Sequence, residues 1–384
     1  MTLPELLANE DLRRDEFPVA RAKIFLAHAG VCPLPRRVAE AMAFYSFNAC
    51  EDDQETQLPQ LLKQTRELAA QLVRAQPEEI SFVGPTSLAL NTVASGLPWR
   101  RGDNLVVYHD DYPTNVYPWM ALAERGVQVR FLNVRELGRI RPLDVIGQVD
   151  EQTRLVALAS CHFVAGWRLD VNTIGKALRD RGILFCVDGI QTLGAFPTTV
   201  EHVDFLAADA HKWMLGPCAA GILYVRKDLQ ERLHPTALGW NNVRCPDYVA
   251  QDALTLRTGP GRFEPGSHNI VGLVGLKAAI ELLLEVGVDA IAAELLRKRE
   301  WLVPAFQEKG WSVLHAKAPR ENSGAIISLW REGADMAAAH QRLADAHIVT
   351  SLRADRAGRK YLRLSPHFYN TDAELRHVVE RLGS

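Results

Sequence analysis

Between about residues 80 and 226 the chain alternates short apolar runs with helix-like patterns, and that rhythm restricts its fold more than any other feature. Ile80–Val83, Asn104–His109, Val127–Leu132, Arg154–Ala159, Ile183–Val187, Val203–Ala207 and Gly221–Val225 read as strands, with a helix over Leu88–Gly96. The run Ile-Leu-Phe-Cys-Val at Ile183–Val187 lacks polar alternation, which suits a strand covered on both faces. Strand, helix, strand in this order predicts an α/β fold: a mostly parallel sheet with helices on both sides.

After about residue 280 the pattern changes. A long helix over Ala278–Leu296 leads to strands at Ser323–Trp330, Ile348–Leu352 and Tyr361–Ser365. A helix over Ala334–Ala346 lies among them, and Thr371-Asp372 caps a last one. A length of 384 residues exceeds one ordinary core. The expectation is a large domain over 28–275 and a smaller α/β domain over 276–384, joined by segment 1–27. The 47% hydrophobic and 23% charged fractions are those of a soluble globular protein, and a net charge of −2 offers no field for nucleic acid or an anionic membrane. Apolar runs such as Val271–Ile280 are too short to span a bilayer, and no apolar signal core follows Met1. A cytoplasmic location is therefore expected. Cys32, Cys50, Cys161, Cys186, Cys218 and Cys245 form no C-x-x-C pair and no Cys/His cluster of zinc spacing, so no metal is expected. Buried free thiols are the plain reading.

In an open parallel sheet, ligands bind beyond the carboxyl ends of the strands, so the polar residues just after those strands are the candidates. Asp188 ends the apolar run Ile183–Val187. A carboxylate there is costly unless it meets a cation or strong donors; a helix N-cap is the alternative. Lys212, between His211 and Trp213, follows Val203–Ala207. An amine in a partly apolar pocket has a lowered pKa and can condense with a carbonyl; a surface lysine is the alternative. Gly84-Pro85-Thr86-Ser87 joins a strand to a helix, and its N–H groups and hydroxyls suit a phosphate as well as an ordinary cap. Tyr112, after Asn104–His109, could stack on a planar ring or be a plain loop aromatic.

The order of these residues is more specific than any one of them. Val187-Asp188-Gly189-Ile190-Gln191, then Asp209-Ala210-His211-Lys212-Trp213, Gly216-Pro217 and Gly221–Val225 resemble the class-V aminotransferases. That family includes cysteine desulfurases, kynureninases, cystine lyases and isopenicillin N epimerase-like proteins. Arg262-Phe263-Glu264-x-Gly266-Ser267-x-Asn269 and Arg363-Leu364-Ser365 through Tyr369-Asn370-Thr371 extend the resemblance over nearly the whole chain. It implies fold type I of the enzymes that use pyridoxal 5′-phosphate (PLP), with Lys212 holding the cofactor as a Schiff base and moving protons at the substrate Cα. It further implies that Asp188 pairs with the pyridine nitrogen, Gln191 bonds the phenolic oxygen and Tyr112 takes the stacking position. Thr86, Ser87 and His211 would hold the phosphate, Ser267 would reach it from the partner subunit of a homodimer, and Arg363 would clamp the substrate carboxylate.

Two departures narrow the expected activity. Cysteine desulfurases carry a nucleophilic cysteine before the C-terminal Arg-x-Ser stretch, whereas Ser351–Lys360 here has none. Persulfide formation needs a thiolate within reach of the substrate sulfur, so desulfurase activity is not expected. Phe163 stands where desulfurases place an asparagine, closer to kynureninase and cystine-lyase patterns. Asp209 is set aside as a ligand because a carboxylate repels phosphate unless it turns away. The arginines of Ser351–Lys360 could favour an acidic substrate, a solvated loop being the plainer reading. The expected function is transformation of an α-amino acid, provisionally by an aminotransferase, with a C–S lyase or an epimerase as alternatives. A silent scaffold is disfavoured by Asp188, His211, Lys212 and Arg363 occurring together, and a nicotinamide dehydrogenase by the lack of a G-x-G-x-x-G turn.

Overall fold

The computed structural model describes residues 1–383. A short strand, β1 (Ile24–Phe25), precedes seven that build the large sheet: β2 (Ile80–Val83), β3 (Asn104–Val107), β4 (Gln128–Phe131), β5 (Thr153–Ala159), β6 (Leu184–Asp188), β7 (Phe205–Ala208) and β8 (Gly221–Val225). Their order is β2-β8-β7-β6-β5-β3-β4. β8 runs antiparallel to both neighbours, and every other pair is parallel. Two successive reversals leave β2 aligned with β7, so the carboxyl ends of β2, β3, β5, β6 and β7 open along one edge. The expected strands are present with ends shifted by one to a few residues.

Alternation sorts this sheet into two faces. Phe185, Val187, Val156 and Leu206 point into one core, with Leu273, Leu276 and Leu283 of the helix Ile270–Val286. Cys186, Leu155, Ala157 and Phe205 point into the other, against Ala89, Leu90 and Val93 of the helix Thr86–Gly96. Each fully buried Leu or Phe contributes about 1.5–3 kcal/mol relative to exposure. Because both faces are covered, the central strands carry no polar alternation.

The second sheet contains β9 (Ser312–Val313), β10 (Ile327–Trp330), β12 (Ser351–Ala354) and β13 (Lys360–Leu364), all antiparallel in the order β12-β13-β10-β9, while β11 (Ile348–Val349) pairs parallel with β1. The single strand expected over Ile348–Leu352 is thus two strands, which leave for different partners on either side of Thr350. Ser323–Trp330 becomes a strand only from Ile327. Register matters here. Ile327, Leu329, Leu362 and Leu364 enter the smaller core, whereas Ser328, Ser351 and Arg363 lie opposite one another on the other face. A slip by one residue would drive Arg363 into that core.

The expected continuous helix over Ala278–Leu296 is broken at Gly287, whose φ of +89° ends Ile270–Val286 before Val288–Glu308 begins. The expected division at 275/276 falls inside the first of these helices. Thr371 and Glu374 exchange hydrogen bonds as a capping box at the last helix. The N-terminal segment is sewn to the second sheet: Ala27 bridges Ser365, and the Ala29 N–H donates to Ser365 Oγ at 3.0 Å, 336 positions away. Among the described residues no helix is long and apolar enough to cross a membrane.

Candidate active site

Strand endings assemble the site. β6 terminates in Asp188, which is 2% exposed, and whose carboxylate accepts from the Ile190 N–H at 3.0 Å. Burial and then the neighbouring Asp111 raise its pKa to about 7, against the pull of Ile190 and Lys212. No cationic side chain pairs with it among the described residues. Just beyond β7, next to His211, Lys212 is 7% exposed. Burial depresses its amine to about 8, opposed by Asp188 and reinforced by Arg363 and Arg353. The Lys212 Nζ lies 5.2 Å from the centroid of the half-exposed Tyr112 ring, and Phe163 meets that ring edge-on at 5.3 Å. Asp188, Tyr112 and Arg363 therefore gather around Lys212. Gln191 flanks it, accepting from Trp213 Nε1 at 2.9 Å and donating to the Ala29 carbonyl at 3.2 Å. Its amide nitrogen carries a second N–H for a ligand.

The loop after β2 starts the helix Thr86–Gly96 with Pro85 at the N-cap and no side-chain cap, so N–H groups at that start stay available to an anion. Thr86 Oγ1 accepts instead from the Asp209 N–H at 2.9 Å. Asp209 is the hub that sequence reasoning set aside. Its oxygens turn inward and accept from the N–H groups of Ala210 (2.8 Å), Ala219 (3.0 Å) and Ala220 (3.0 Å) and from His211 Nδ1 (2.7 Å). The charge is thereby spent within the loop, and the His211 ring is oriented with Nε2 outward. Ala219 adopts φ +59°, unusual for a residue with a Cβ, so that consecutive N–H groups aim at one carboxylate. Gly221 admits the Gly84 carbonyl, which a Cβ would meet at 2.4 Å. Ser267 is not gathered with Lys212. It lines a separate cavity of about 420 Å³ with Gly84, Leu88, Asn91 and Ala219.

On the facing sheet Arg363 is 1% exposed. Nη1 donates to the Phe163 carbonyl at 2.7 Å, Nη2 to Ser351 Oγ at 3.4 Å, and the buried Nε has no partner. No carboxylate pairs with it among the described residues. Burial, then Arg353, lowers its pKa to about 9. The segment Ser351–Lys360 is not a free loop: it is β12 and a tight turn, and Arg356 fastens the turn to Asp110 at 2.6 Å and the His109 carbonyl at 2.9 Å. Burial raises the thiols of Cys32 and Cys161 to about 12, far from reactive thiolates. Among the described residues no cluster of His, Cys, Asp and Glu could hold a metal.

Sequence reasoning missed Asp111 and Gly30, and it gave no individual role to Asp209 or Arg353. Asp111 is fully enclosed, raised to about 6 by burial, and accepts from Tyr112 N–H, Asn115 Nδ2 and Ala159 N–H; its place at a strand end beside Tyr112 was a usable signal. Gly30 lies against the Arg363 guanidinium, whose Nη2 a Cβ would meet at 3.8 Å, a contact no spacing announces.

These residues fit PLP. A buried carboxylate without a cation suits a protonated ring nitrogen, a neutralisable buried amine suits an aldehyde, and an uncapped helix start suits a phosphate. The class-V aminotransferase family matches residues 24–378. A probable cysteine desulfurase of Methanothermobacter thermautotrophicus is 36% identical over 304 residues, covering 77% of this chain and 75% of its own. An uncharacterized aminotransferase, YcbU, of Bacillus subtilis is 28% identical over 378 residues, covering 97% and 96%. The apo structure of a cysteine desulfurase from Thermococcus onnurineus superposes with a TM-score of 0.90 at 25% identity, over 99% of this chain and 97% of that one. The fold is that of PLP-dependent enzymes of fold type I. The chain belongs to the class-V aminotransferase family.

Proposed function

We propose that Lys212 binds PLP covalently and that the protein transforms an α-amino acid at Cα as an aminotransferase. The observation that carries this reading is the buried Lys212 amine, lowered to about 8 amid Asp188, Tyr112 and Arg363. PLP supplies, when bound, an aldehyde for amines and a ring that spreads the electron pair left at Cα. Asp188 keeps the ring nitrogen protonated, Tyr112 stacks on the ring, and the spare N–H of Gln191 meets the ring oxygen. Thr86, Ser87 and His211 bind the phosphate, joined by Ser267 of the partner subunit. Arg363 holds the substrate α-carboxylate, which orients the Cα–H toward Lys212. Once free, the Lys212 amine takes that proton and returns one. Exposed Phe44 (70%) and Phe47 (75%) on helix Arg36–Asn48, with Tyr248 (79%) and Leu254 (64%) on the segment leading to Ser267, support a homodimer.

One observation favours a second reading, a C–S lyase. The hairpin 351–364 holds no cysteine, so a sulfur substituent leaving Cβ has no thiol there to accept it. Incubating PLP-loaded enzyme with an amino-acid panel decides. Keto acid accompanied by pyridoxamine phosphate supports transamination, sulfide or persulfide with pyruvate supports the lyase, and the enantiomer alone supports epimerisation. A colourless protein whose Lys212 is not trapped by borohydride refutes the whole reading.

A further inference from the structure

β12 and β13 place a second guanidinium beside the first. Ser351 pairs with Arg363 and Arg353 with Tyr361, so Arg353 and Arg363 lie diagonally on one face of the hairpin. Diagonal neighbours across an antiparallel pair stand about 7–8 Å apart, within reach of long side chains. That face is the one bearing Ser328, whose hydroxyl contacts the Val164 carbonyl of the large unit, so it looks into the cleft. Both arginines also act electrostatically on Lys212.

Neither guanidinium forms an ion pair with a protein carboxylate among the described residues, while Asp188 and Asp111 act on Lys212. Arg356 is neutralised by Asp110. Asp209 is occupied by His211 and three N–H groups. Asp355, at the hairpin tip, is engaged by the Tyr361 hydroxyl and the Arg359 N–H. Arg353 is half-buried, donates to its neighbour's carbonyl (Leu352, 2.8 Å), and forms no ion pair among the described residues. Two like charges held together at a cleft, one of them buried, repel unless anions meet both. The α-carboxylate of an amino acid supplies one anion, and only one.

Resting on the function proposed above, we propose that Arg353 forms a second anion subsite, selecting α-amino acids whose side chain ends in an acidic group, a carboxylate or a sulfinate. A neutral side chain would leave Arg353 unpaired, whereas an acidic one gains a charge-assisted hydrogen bond. That difference corresponds to at least about tenfold in affinity.

The test uses PLP-loaded protein and unreactive ligands. Succinate and butyrate, of similar length, are titrated by calorimetry into wild type, Arg353→Gln and Arg353→Lys. The shift of the long-wavelength absorption band is then measured with L-aspartate against L-asparagine, and with L-cysteine sulfinate against L-alanine. The expected result is succinate at least about tenfold tighter than butyrate in wild type, a ratio near one in Arg353→Gln, and partial recovery in Arg353→Lys. Equal binding of succinate and butyrate by wild type overturns the inference, as does a ratio unchanged by Arg353→Gln. Thermal midpoints of the three proteins separate a folding defect from a lost subsite, and the lysine variant keeps the test valid if the glutamine variant unfolds. Failure of the parent reading shows differently: protein incubated with PLP has no long-wavelength band at all.

Discussion

Replacing Asp209 by asparagine changes one oxygen to an NH2 group at the centre of the loop that carries Lys212, and its consequences follow from counting donors. One carboxylate oxygen serves the Ala210 and Ala220 N–H groups, and the other serves Ala219 N–H and His211 Nδ1. Asparagine does least harm by keeping its oxygen on the first pair. Its NH2 then faces the Ala219 N–H, donor against donor, and one backbone group loses its partner. Leaving such a donor unsatisfied costs about 1–3 kcal/mol. The opposite orientation strands two backbone groups and costs more. His211 can adapt by exchanging tautomers so that Nδ1 accepts from the new NH2 group, but the ring is then held by a neutral amide instead of by a carboxylate. We expect Asp209→Asn to lower unfolding free energy in urea by about 1–3 kcal/mol and to weaken PLP retention about tenfold. Equilibrium unfolding of cofactor-free protein and a PLP titration followed by absorbance measure the two effects separately. Stability within about 0.5 kcal/mol of wild type, together with unchanged PLP affinity, would refute the assignment of Asp209 as the loop's organiser.

Three further outcomes are expected. In cofactor-free protein the folded-state pKa of Lys212 is about 8 against 10.5 for an ordinary lysine, so between those values the unfolded chain binds more protons and stability rises with pH; the stability advantage of Lys212→Met over wild type should therefore shrink from pH 7 to pH 10, and an unchanged gap in urea midpoints contradicts a buried amine. Arg363→Ala should retain the long-wavelength band yet lose amino-acid affinity by about 10–100-fold, from charged hydrogen bonds of about 1.5–3 kcal/mol; spectral titration checks this, and a normal dissociation constant removes Arg363 from carboxylate binding. Arg66→Ala should destabilise by about 3–5 kcal/mol, because it strips the 2.7 Å ion pair from the 3%-exposed Glu264 side chain; a loss of unfolding free energy in urea under about 1 kcal/mol would show that His268 and the Phe82 N–H suffice to hold that carboxylate.

The large sheet was legible because its strands are covered on both faces and so read as unbroken apolar runs, from Ile80–Val83 to Gly221–Val225. Asp188 and Lys212 were legible for the same reason: polar residues directly after such runs must lie at the sheet edge. The second sheet was read less well. Its strands are short, and the split at Thr350 depends on β1, a partner more than three hundred positions earlier that local pattern does not reveal. The helix break at Gly287 was readable in principle, since a lone glycine in a helical run is a common C-terminal signal. Asp209 was set aside as a phosphate ligand and its carboxylate does turn inward, but its place at the centre of the loop was not readable locally. The backbone donors that absorb it come from Ala219 and Ala220, which approach only through a left-handed turn. Arg353 was noticed only as part of an arginine-rich stretch, and its significance comes from sharing a hairpin face with Arg363.

The stitching of residues 24–29 to 348–365 ties two remote stretches of chain together beside the cleft. Asp188, Lys212 and the helix start at Thr86 stand at the carboxyl edge of the central sheet, whereas Arg363 is carried by the second sheet. Closing a loop of 336 positions costs chain entropy that these contacts must offset. Loosening either segment would therefore be felt at the guanidinium, which Gly30 directly adjoins.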